Sequence, residues 1–413
     1  MQVKQISDIL NDIITTSSLG LEPIQEEDLD GIVSTAKDIN SALGLDNYVR
    51  ALVNHIGKVV FVNRVYKAKA PNVLMDGWKF GSILEKIDCD MPDSQENQSW
   101  DLNDNQTYDQ DTFKGAKNVR ARFFNDKTSY EIQISIAEMQ VEESFSSLQQ
   151  LNGFFSMVFT KINNSIELNN KNLIMRTINN FTAAKLYHEF SDLHSNETGL
   201  FNFGNNSKVS AINLLGLYKE ENPDNLTTEE LTSITPSNCI KNLQFLKFCT
   251  MIMSITSDRM EDISTLFNIG NRQRFTPKDR QHFVLLSEFA RAADTYLQSD
   301  TFHNEFVKLP KHETVVYWQG SGTDYSFSST SKISVINKGY IDKDGEIKTD
   351  SIKVELSGVL GVMFDEDALG VNNYNQRVPS HYNAKGEFVN YFYKTDARYF
   401  NDYDENFIVF FVA

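Results

Sequence analysis

The chain has 413 residues, of which 40% are hydrophobic and 12% aromatic, which is too much apolar surface for a disordered protein and enough for one large core or two medium ones. Its formal net charge of −17 argues against a surface built to hold nucleic acid, because such surfaces replace phosphate counterions with lysine and arginine. The sequence shows neither an apolar signal segment at its start nor a run of roughly 20 apolar residues, so we expect neither secretion by a signal peptide nor a membrane span.

The first part of the chain, residues 1–57, is predicted to be an N-terminal arm of short helices. The clearest of them is Glu26–Asn40, whose apolar residues recur at helical spacing. Its first turn carries Glu26, Glu27 and Asp28, and the helix dipole favours acidic side chains at that end.

Residues 58–140 are predicted to form a long β-hairpin with an acidic tip. Val59–Val62 is β-branched and aromatic, and Val119–Phe123 and Tyr130–Ile136 alternate as strands do. The polar stretch between Asp88 and Asp111 has no continuous apolar face. Such a ribbon cannot bury its own apolar face, so we expect it to lie on something else.

Residues 141–185 are predicted to contain one very long helix. Apolar residues between Phe145 and Phe181 recur at spacings of three and four, and no proline lies between Pro92 and Pro223 to interrupt them. A continuous helix over Ser144–Phe181 would be about 57 Å long at 1.5 Å per residue. That length is typical of a spine that crosses a domain.

Residues 186–355 are predicted to mix helix and strand. Cys239–Ile255 and Leu285–Val307 are apolar helical stretches, and Pro277-Lys278-Asp279 has the pattern of a helix start. The chain then turns to strands, with an Asp344-Gly345 hairpin turn between Ile333–Ile336 and Ile352–Leu356.

The last segment, residues 356–413, is predicted to be almost entirely β. Its expected strands are Val359–Phe364, Phe388–Tyr393 and Phe407–Val412. The whole sequence therefore predicts the α+β fold class with a β-rich C-terminus.

No pattern in the sequence indicates a metal or cofactor site. His188 and His194 are six residues apart instead of the four that let two histidines on a helix share one zinc ion. Asp342-Lys343-Asp344-Gly345 lacks the later carboxylates of a calcium loop and is predicted to be a turn. Cys89, Cys239 and Cys249 form no CxxC pair, so we expect reduced thiols.

Catalytic patterns are equally weak. Gly320-Ser321-Gly322 does not fit the nucleophile elbow of a serine hydrolase, and no glycine loop for phosphates occurs. Asp365-Glu366-Asp367 is predicted to be a solvated turn, although its paired carboxylates leave a hydrolase open as an alternative. We therefore assign no catalytic, cofactor-binding or metal-binding residue and expect a protein that is not an enzyme.

Three parts of the sequence, taken with the order of its elements, resemble the phi-29-type major capsid proteins of small podoviruses. The segments that carry the resemblance are Val53–Val60 and Gly81–Ile87; Asn118–Phe124, Tyr130–Ile134 and Ser144–Leu148; and Phe364–Leu369, Asn373–Asn375, Tyr382-Asn383 and Asn390–Tyr393. The resemblance covers about residues 50–182 and 280–413, whereas residues 183–280 match poorly. Because the sequence ends at Ala413, directly after the last predicted strand, we do not expect the immunoglobulin-like appendage that some relatives carry.

The resemblance implies a Hong Kong 97-type capsid fold, in which each predicted segment has a counterpart. These are an N-arm (1–57), an E-loop hairpin (58–140), the spine helix of a P-domain (141–185), an A-domain (186–355) and returning P-domain strands (356–413). It also implies a shell protein that assembles into the icosahedral or prolate head of a tailed phage in the host cytoplasm. Its expected partners are copies of itself in pentamers and hexamers, a scaffolding protein, a portal and packaged double-stranded DNA bound without sequence specificity, with no membrane. A cellular nanocompartment shell shares the fold class and remains an alternative.

Overall fold

The structure, a computed structural model, describes residue 11 and residues 64–74, 83–94, 96, 115–137, 148–221, 233–300, 309–319, 324–341 and 347–413. Nearly all of the predicted N-terminal arm, most of the acidic tip and the Asp344-Gly345 turn lie outside these ranges. The chain divides into two compact units. The first comprises Met1–Lys67, Glu131–Glu167 and Arg377–Tyr393, and the second comprises Ala68–Tyr130, Leu168–Gln376 and Lys394–Ala413.

The main helix, α1, is a single helix of 43 residues over Leu148–Phe190, about 64 Å long at 1.5 Å per residue. The predicted long helix is thus observed, and it continues past Phe181 to Phe190. Asn169 and Asn170 do not interrupt it, because asparagine weakens a helix only slightly when tertiary packing supports the neighbouring turns. Its shorter companions are α2 (Leu214–Glu221), α3 (Leu243–Glu261), α4 (Ser287–Asp300) and α5 (Phe327–Thr330).

The described strands are numbered in chain order. They are β1 (Leu84–Asp88), β2 (Arg120–Phe124), β3 (Lys127–Ala137), β4 (Ala211–Asn213), β5 (Gln281–Leu286), β6 (Glu313–Val315), β7 (Ile333–Ile341), β8 (Ile347–Leu356), β9 (Val359–Asp365), β10 (Leu369–Arg377), β11 (Ser380–Asn383), β12 (Phe388–Asn401) and β13 (Phe407–Phe411). Together with the helices they confirm the predicted α+β class. The strands predicted after residue 332 are all present, although β9 and β13 are continuous apolar runs without alternation.

A five-stranded sheet in the order β4-β13-β9-β5-β6 forms the centre of the second unit. Strand β13 pairs parallel with β4 and antiparallel with β9. Its five residues are all buried, as are all seven residues of β9, because helices and loops cover both faces. Phe181 of α1 stacks on Phe407 of β13, with ring centroids 4.1 Å apart, so the C-terminal part of the spine helix contributes directly to this core.

The structure corrects four predictions of secondary structure. Leu285 and Leu286, predicted to begin a helix, are the last residues of strand β5, and α4 begins at Ser287. A short apolar run that is buried on both faces does not differ in period from a buried helix. Residues 278–280 form a turn before β5 rather than a helix start.

The third correction concerns the β-ribbon. Among the described strands, β1 pairs only with β2, in register from Leu84↔Phe124 to Asp88↔Arg120. Strand β3 pairs with β12 in the sheet that also holds β10 and β11. The described hairpin is therefore shorter than predicted, and Val65 and Tyr66 lie in exposed, irregular chain.

Helix α3 also begins later than predicted. Residues Cys239–Lys241 form a 3₁₀ turn, and Asn242 then caps α3 by accepting a hydrogen bond from the Phe245 backbone N–H at 3.0 Å. Asparagine favours this capping position because its side chain satisfies a backbone donor that has no partner within the helix.

Candidate functional site

The hairpin of β1 and β2 has an unusual polarity. Residues alternate strictly between half-buried and exposed along both strands. The half-buried positions carry four charged side chains, Lys86, Asp88, Arg120 and Arg122, flanked by Leu84 and Phe124. The hairpin, which belongs to the second unit, therefore packs against the rest of that unit through its charged face.

An acidic turn between β12 and β13 receives this face. It carries Asp402, Asp404 and Glu405, whose side chains are only 2%, 14% and 17% exposed. The turn is fixed by backbone hydrogen bonds from Ile269 and Gly270 to the Tyr403 carbonyl, at 2.9 and 3.1 Å. A side chain at position 270 would collide with the Asp404 carboxylate, so glycine at this position lets the two segments approach.

Asp402 is the first anchor of the hairpin. Arg122 donates to its carboxylate and to that of Asp404, and Lys86 Nζ lies 3.1 Å from Asp402 Oδ2. Lys86 also donates to the Asp367 carbonyl at 2.5 Å and lies 5.0 Å from the centre of the Phe400 ring. Hydrogen bonds that involve charged groups are stronger than neutral ones, and here the carboxylate that receives them is buried.

Two further arginines form the second anchor. Arg274 donates to Asp88 at 2.6 Å and lies 3.3 Å from Glu405. Arg272 lies 3.4 Å from both Asp90 and Asp404. Burial alone would raise the pKa of Asp88, but the hydrogen bond and charge of Arg274 outweigh it and hold that pKa below its ordinary value. The pairing therefore keeps Asp88 ionised.

The pKa of Glu405 shifts in the opposite direction, above its ordinary value. Burial raises its pKa, Arg274 lowers it in part, and the nearby Asp402 carboxylate raises it again. The charges of Arg274 and Lys86 offset part of this rise. The network thus joins three acidic residues of one turn to cations from two other segments.

A second buried charge cluster lies where α1 ends. Lys185 has no exposed surface, and its Nζ donates to the Phe267 carbonyl at 3.2 Å and lies 3.6 Å from Glu189. Ser210 donates to Glu189, and His188 Nδ1 lies 3.8 Å from it. Burial lowers the pKa of Lys185 to about 8, against the opposing effect of Glu189.

The histidines weighed for metal binding lie in separate settings. His188 is in the last turn of α1. His194 follows the 3₁₀ turn Ser191–Leu193 and makes a 2.9 Å hydrogen bond with the Lys353 carbonyl. Among the residues that the structure describes, no group of three or more His, Cys, Asp or Glu side chains could hold a metal ion.

The predicted solvated turn at residues 365–367 is only partly correct. The side chains of Glu366 and Asp367 are exposed and pair with Arg280. Asp365 is buried, and its carboxylate accepts hydrogen bonds from the Thr276 hydroxyl at 2.7 Å and the Asp367 backbone N–H at 2.8 Å. It is therefore a structural carboxylate, which the run of three acids did not indicate.

The remaining candidates add no chemistry to the described part of the chain. Cys89 is exposed, and Cys239 and Cys249 are buried; all three are free thiols. Burial raises the pKa of Cys239 to about 12. Gly320-Ser321-Gly322 and Asp342-Lys343-Asp344-Gly345 lie outside the described residues. No helix within the described ranges has the length and apolarity to cross a membrane.

Sequence reasoning missed the anchoring network entirely. The sequence does contain the charged residues of this network at regular spacing. Lys86 and Asp88 lie two positions apart, as do Arg120 and Arg122, and Asp402-Tyr403-Asp404-Glu405 is an acidic run. What the sequence does not indicate is that these segments meet.

Comparison with known proteins gives one match over nearly the whole chain. Residues 8–411 match the model of the Phi29-like phage major capsid protein family. No curated protein matches the chain. Among solved structures, the chain is similar to a protein in the capsid structure of Staphylococcus phage Andhra, with 10% identity, a TM-score of 0.48 and coverage of 86% of this chain and 87% of that one. It is also similar to a protein in the capsid structure of the Cyanophage P-SCSP1u, with 11% identity, a TM-score of 0.43 and coverage of 88% and 94%.

Proposed function

Because the chain belongs to the Phi29-like phage major capsid protein family, we propose that the ion-paired hairpin is the base of an assembly arm that reaches neighbouring subunits. The protein is a structural component of a phage capsid, built into the virion in many copies. The family match over residues 8–411 carries this conclusion, and the anchored hairpin supports the finer proposal.

The proposed arm makes the same contact in every subunit of the shell. A closed shell repeats its contacts, so each subunit needs one surface that fits a different surface of its neighbour. A hairpin fixed at its base by the pairs of Asp402 and Arg274 holds a constant direction. We propose that residues 58–140 act as this arm, that residues 1–57 act as a second one, and that residues 141–185, 186–355 and 356–413 form the body of the subunit in pentamers and hexamers.

The net charge supports a proposal about the content of the shell. With a formal net charge of −17, the protein offers few cations to hold phosphates, which suits a container through which a DNA duplex must slide during packaging. We propose that the head encloses double-stranded DNA without sequence-specific contacts, that it assembles in the host cytoplasm with a scaffolding protein and a portal, and that the chain carries no enzymatic activity. The family match is to phage proteins, so it does not favour a cellular nanocompartment.

Electron microscopy of the purified full-length chain, with sedimentation of the same sample, tests the proposal. We expect closed particles of uniform size, alone or on co-expression with the other head proteins of the phage. Dispersed subunits under both conditions would contradict self-assembly. Particles that form only on co-expression would support the proposed scaffolding partner.

A further inference from the structure

A groove of about 690 Å³ lies between helix α1 and strand β7, within the second unit. Two rows of α1 side chains, each with a spacing of four residues, line one side of it. The buried row is Lys171, Met175 and Asn179, and the more exposed row is Leu168, Asn172, Arg176 and Asn180. Residues 317–319 and 334–336 complete the lining. The groove therefore combines one stripe of the spine helix with one strand of the β7–β8 pair.

Two cations line this groove, and neither pairs with a carboxylate among the residues that the structure describes. Lys171 is only 9% exposed, and its Nζ lies 4.8 Å from the centre of the Tyr317 ring. The exposed Arg176 lies 5.6 Å from the centre of the Tyr399 ring. In a chain with a formal net charge of −17, a buried lysine without an acid beside it indicates a site whose partner is an anionic group.

The floor of the groove carries an amide with one unused hydrogen-bonding atom. Asn179 is 4% exposed, and its Nδ2 donates to the Trp318 carbonyl at 2.8 Å. Its Oδ1 accepts no hydrogen bond within the described part of the chain. Met175, Trp318 and Val335 are the buried apolar side chains of the same lining. Because a buried polar atom without a partner is unfavourable, this floor fits a ligand that has both N–H groups and an apolar side chain.

Strand β7 presents a free edge to the groove. Among the described strands it pairs only with β8. The Gln319 side chain accepts a hydrogen bond from the Ser334 N–H at 2.6 Å and donates one to the Ser334 carbonyl at 2.9 Å, so both groups of Ser334 point away from β8. In an antiparallel pair this orientation recurs at every second residue. The N–H and C=O of Ile336 therefore also point to the free edge.

We infer that this groove binds an extended acidic segment of a separate protein. The segment adds a strand beside Ile336, and its side chains on one face reach α1, because side chains alternate along a strand with a period of two. Carboxylates on that face pair with Lys171 and Arg176, and an apolar side chain covers Met175. The bound segment thus supplies the anions and the N–H groups that the groove lacks.

The partner is a separate protein rather than a second copy of this chain, a choice that rests on the proposed function. That function assigns the contacts between copies to residues 1–57 and 58–140, none of which lines the groove. The free edge is also short, because Gln319 occupies Ser334 at one end and the β7–β8 register shifts between Lys338 and Tyr340 at the other. So short a contact is weak by itself and suits a protein that engages many subunits of one shell at once.

A fluorescein-labelled hexapeptide of sequence Asp-Thr-Leu-Thr-Asp-Thr tests the groove directly, since it places two carboxylates and one apolar side chain on a single face of a strand. Added to dispersed full-length subunits, it should bind saturably, with one peptide per subunit, as measured by fluorescence anisotropy. Asparagine in place of both aspartates, or methylation of all backbone N–H groups of the peptide, should each weaken binding by at least about tenfold. Equal binding of the three peptides, or no saturable binding below about 1 mM, would overturn the inference.

Substitutions on α1 show whether the peptide binds in this groove. Arg176→Gln removes an exposed cation, so it should keep the parent's melting temperature and weaken peptide binding about tenfold. Lys171→Met keeps a long apolar side chain beside Tyr317 and should weaken binding by a similar factor. Arg291→Gln, on α4, is the matched control, because the Arg291 side chain is 81% exposed, and it should leave binding unchanged. Equal weakening by Arg291→Gln would show that the peptide responds to overall charge, which would overturn the inference.

Particles assembled from this chain alone distinguish a separate protein from a second copy. We expect them to bind the peptide as tightly as dispersed subunits do, because the groove stays open until the separate protein is added. Loss of peptide binding in particles would assign the groove to a second copy and overturn the inference. A chain that forms no particles would overturn the proposed function and with it the choice of a separate protein, whereas peptide binding to dispersed subunits is measured independently of assembly.

Discussion

Asp402 is the carboxylate with which two of the three cations on the hairpin strands pair. Lys86 and Arg122 both pair with it, and its side chain is 2% exposed. Those cations are themselves about a quarter exposed, at 23% and 27%, so water still solvates them in part. Removing a buried acid costs more unfolding free energy than removing one partner of a surface ion pair. The loss leaves the surrounding cations without the charge with which they pair.

We expect Asp402→Asn to lower the free energy of unfolding by about 2 kcal/mol, since it removes a buried charge from two charge-assisted hydrogen bonds. Urea unfolding followed by tryptophan fluorescence measures the change, and Trp318 is a buried reporter in the same unit. Glu366→Gln serves as the control, because the Glu366 side chain is 59% exposed and should change stability by less than about 0.5 kcal/mol. Equal effects of the two variants would contradict the anchoring role.

Glu189 links stability to acidic pH. Burial raises its pKa, but the neighbouring His188 imidazole and the charge of Lys185 outweigh burial and lower the pKa to about 2. A carboxyl whose folded pKa lies below its unfolded value of about 4.3 binds fewer protons when folded. Its contribution is therefore complete above pH 4.3 and is lost as the pH falls toward 2.

The predicted consequence is a smaller pH dependence in Glu189→Gln. Between pH 6 and pH 3 the parent should lose about 2 kcal/mol of unfolding free energy through this one group. The variant, which does not titrate at position 189, should lose less by that amount, although its stability at pH 6 is lower. The comparison requires urea unfolding of both proteins at each pH. Parallel pH profiles would show that Glu189 is not the titrating group.

Helix α1 contributes to the core chiefly through its middle and C-terminal turns. Leu173, Ile178 and Phe181 have no exposed surface, and Phe181 packs between Phe407 and Tyr403. Phe159, nearer the start of the helix, is 50% exposed. Ile162, one turn away, is buried, so Phe159 is exposed because of the side of the helix on which it lies.

Phe181→Ala should therefore destabilise the protein by about 4 kcal/mol, the usual cost of a cavity left by a buried aromatic ring. Phe159→Ala, in the same helix, should change stability by less than about 0.5 kcal/mol. Thermal and urea unfolding of the two variants beside the parent measure the difference. A small effect at position 181 would mean that the spine helix does not hold the core sheet in place.

For the whole subunit, folding and assembly should be separable. The segment from Asp93 to Thr112 carries six acidic residues, namely Asp93, Glu96, Asp101, Asp104, Asp109 and Asp111. So many acids with few apolar residues contribute little to a core. Asp93, at the start of the segment, pairs with Lys117, and both side chains are exposed. Such a surface pair adds little stability.

Replacing residues 93–112 with a short glycine-containing turn should leave the melting temperature nearly unchanged while particles fail to form. The loss is expected to be cooperative, because every subunit of the lattice loses the same contact. A control variant keeps the length of the segment and changes its acids to amides. It shows whether assembly depends on the length of the segment or on its negative charge. Negative-stain microscopy and sedimentation decide the result, and normal particles from the shortened chain would rule out an assembly role for this segment.

The sequence by itself determined the periodic elements. The apolar spacing before Phe181 predicted α1, alternation predicted β2, β3, β7 and β8, and short continuous apolar runs predicted β9 and β13, because these patterns depend only on neighbours within a few residues. The pattern and order of these elements also carried the resemblance to capsid proteins. The sequence did not distinguish β5 from the start of a helix, since a strand that is buried on both faces shows no alternation of apolar and polar residues.

Only the tertiary structure decided which strands pair and which faces turn inward. Strand β3 pairs with β12 rather than β2, and the hairpin packs through its charged side. Both outcomes depend on contacts between residues far apart in the chain, such as Arg122 and Asp402, which are separated by 280 positions. A local pattern shows which residues share one face of a strand, but not what packs against that face. The face that turns inward is selected by its contacts with a segment that is distant in the chain.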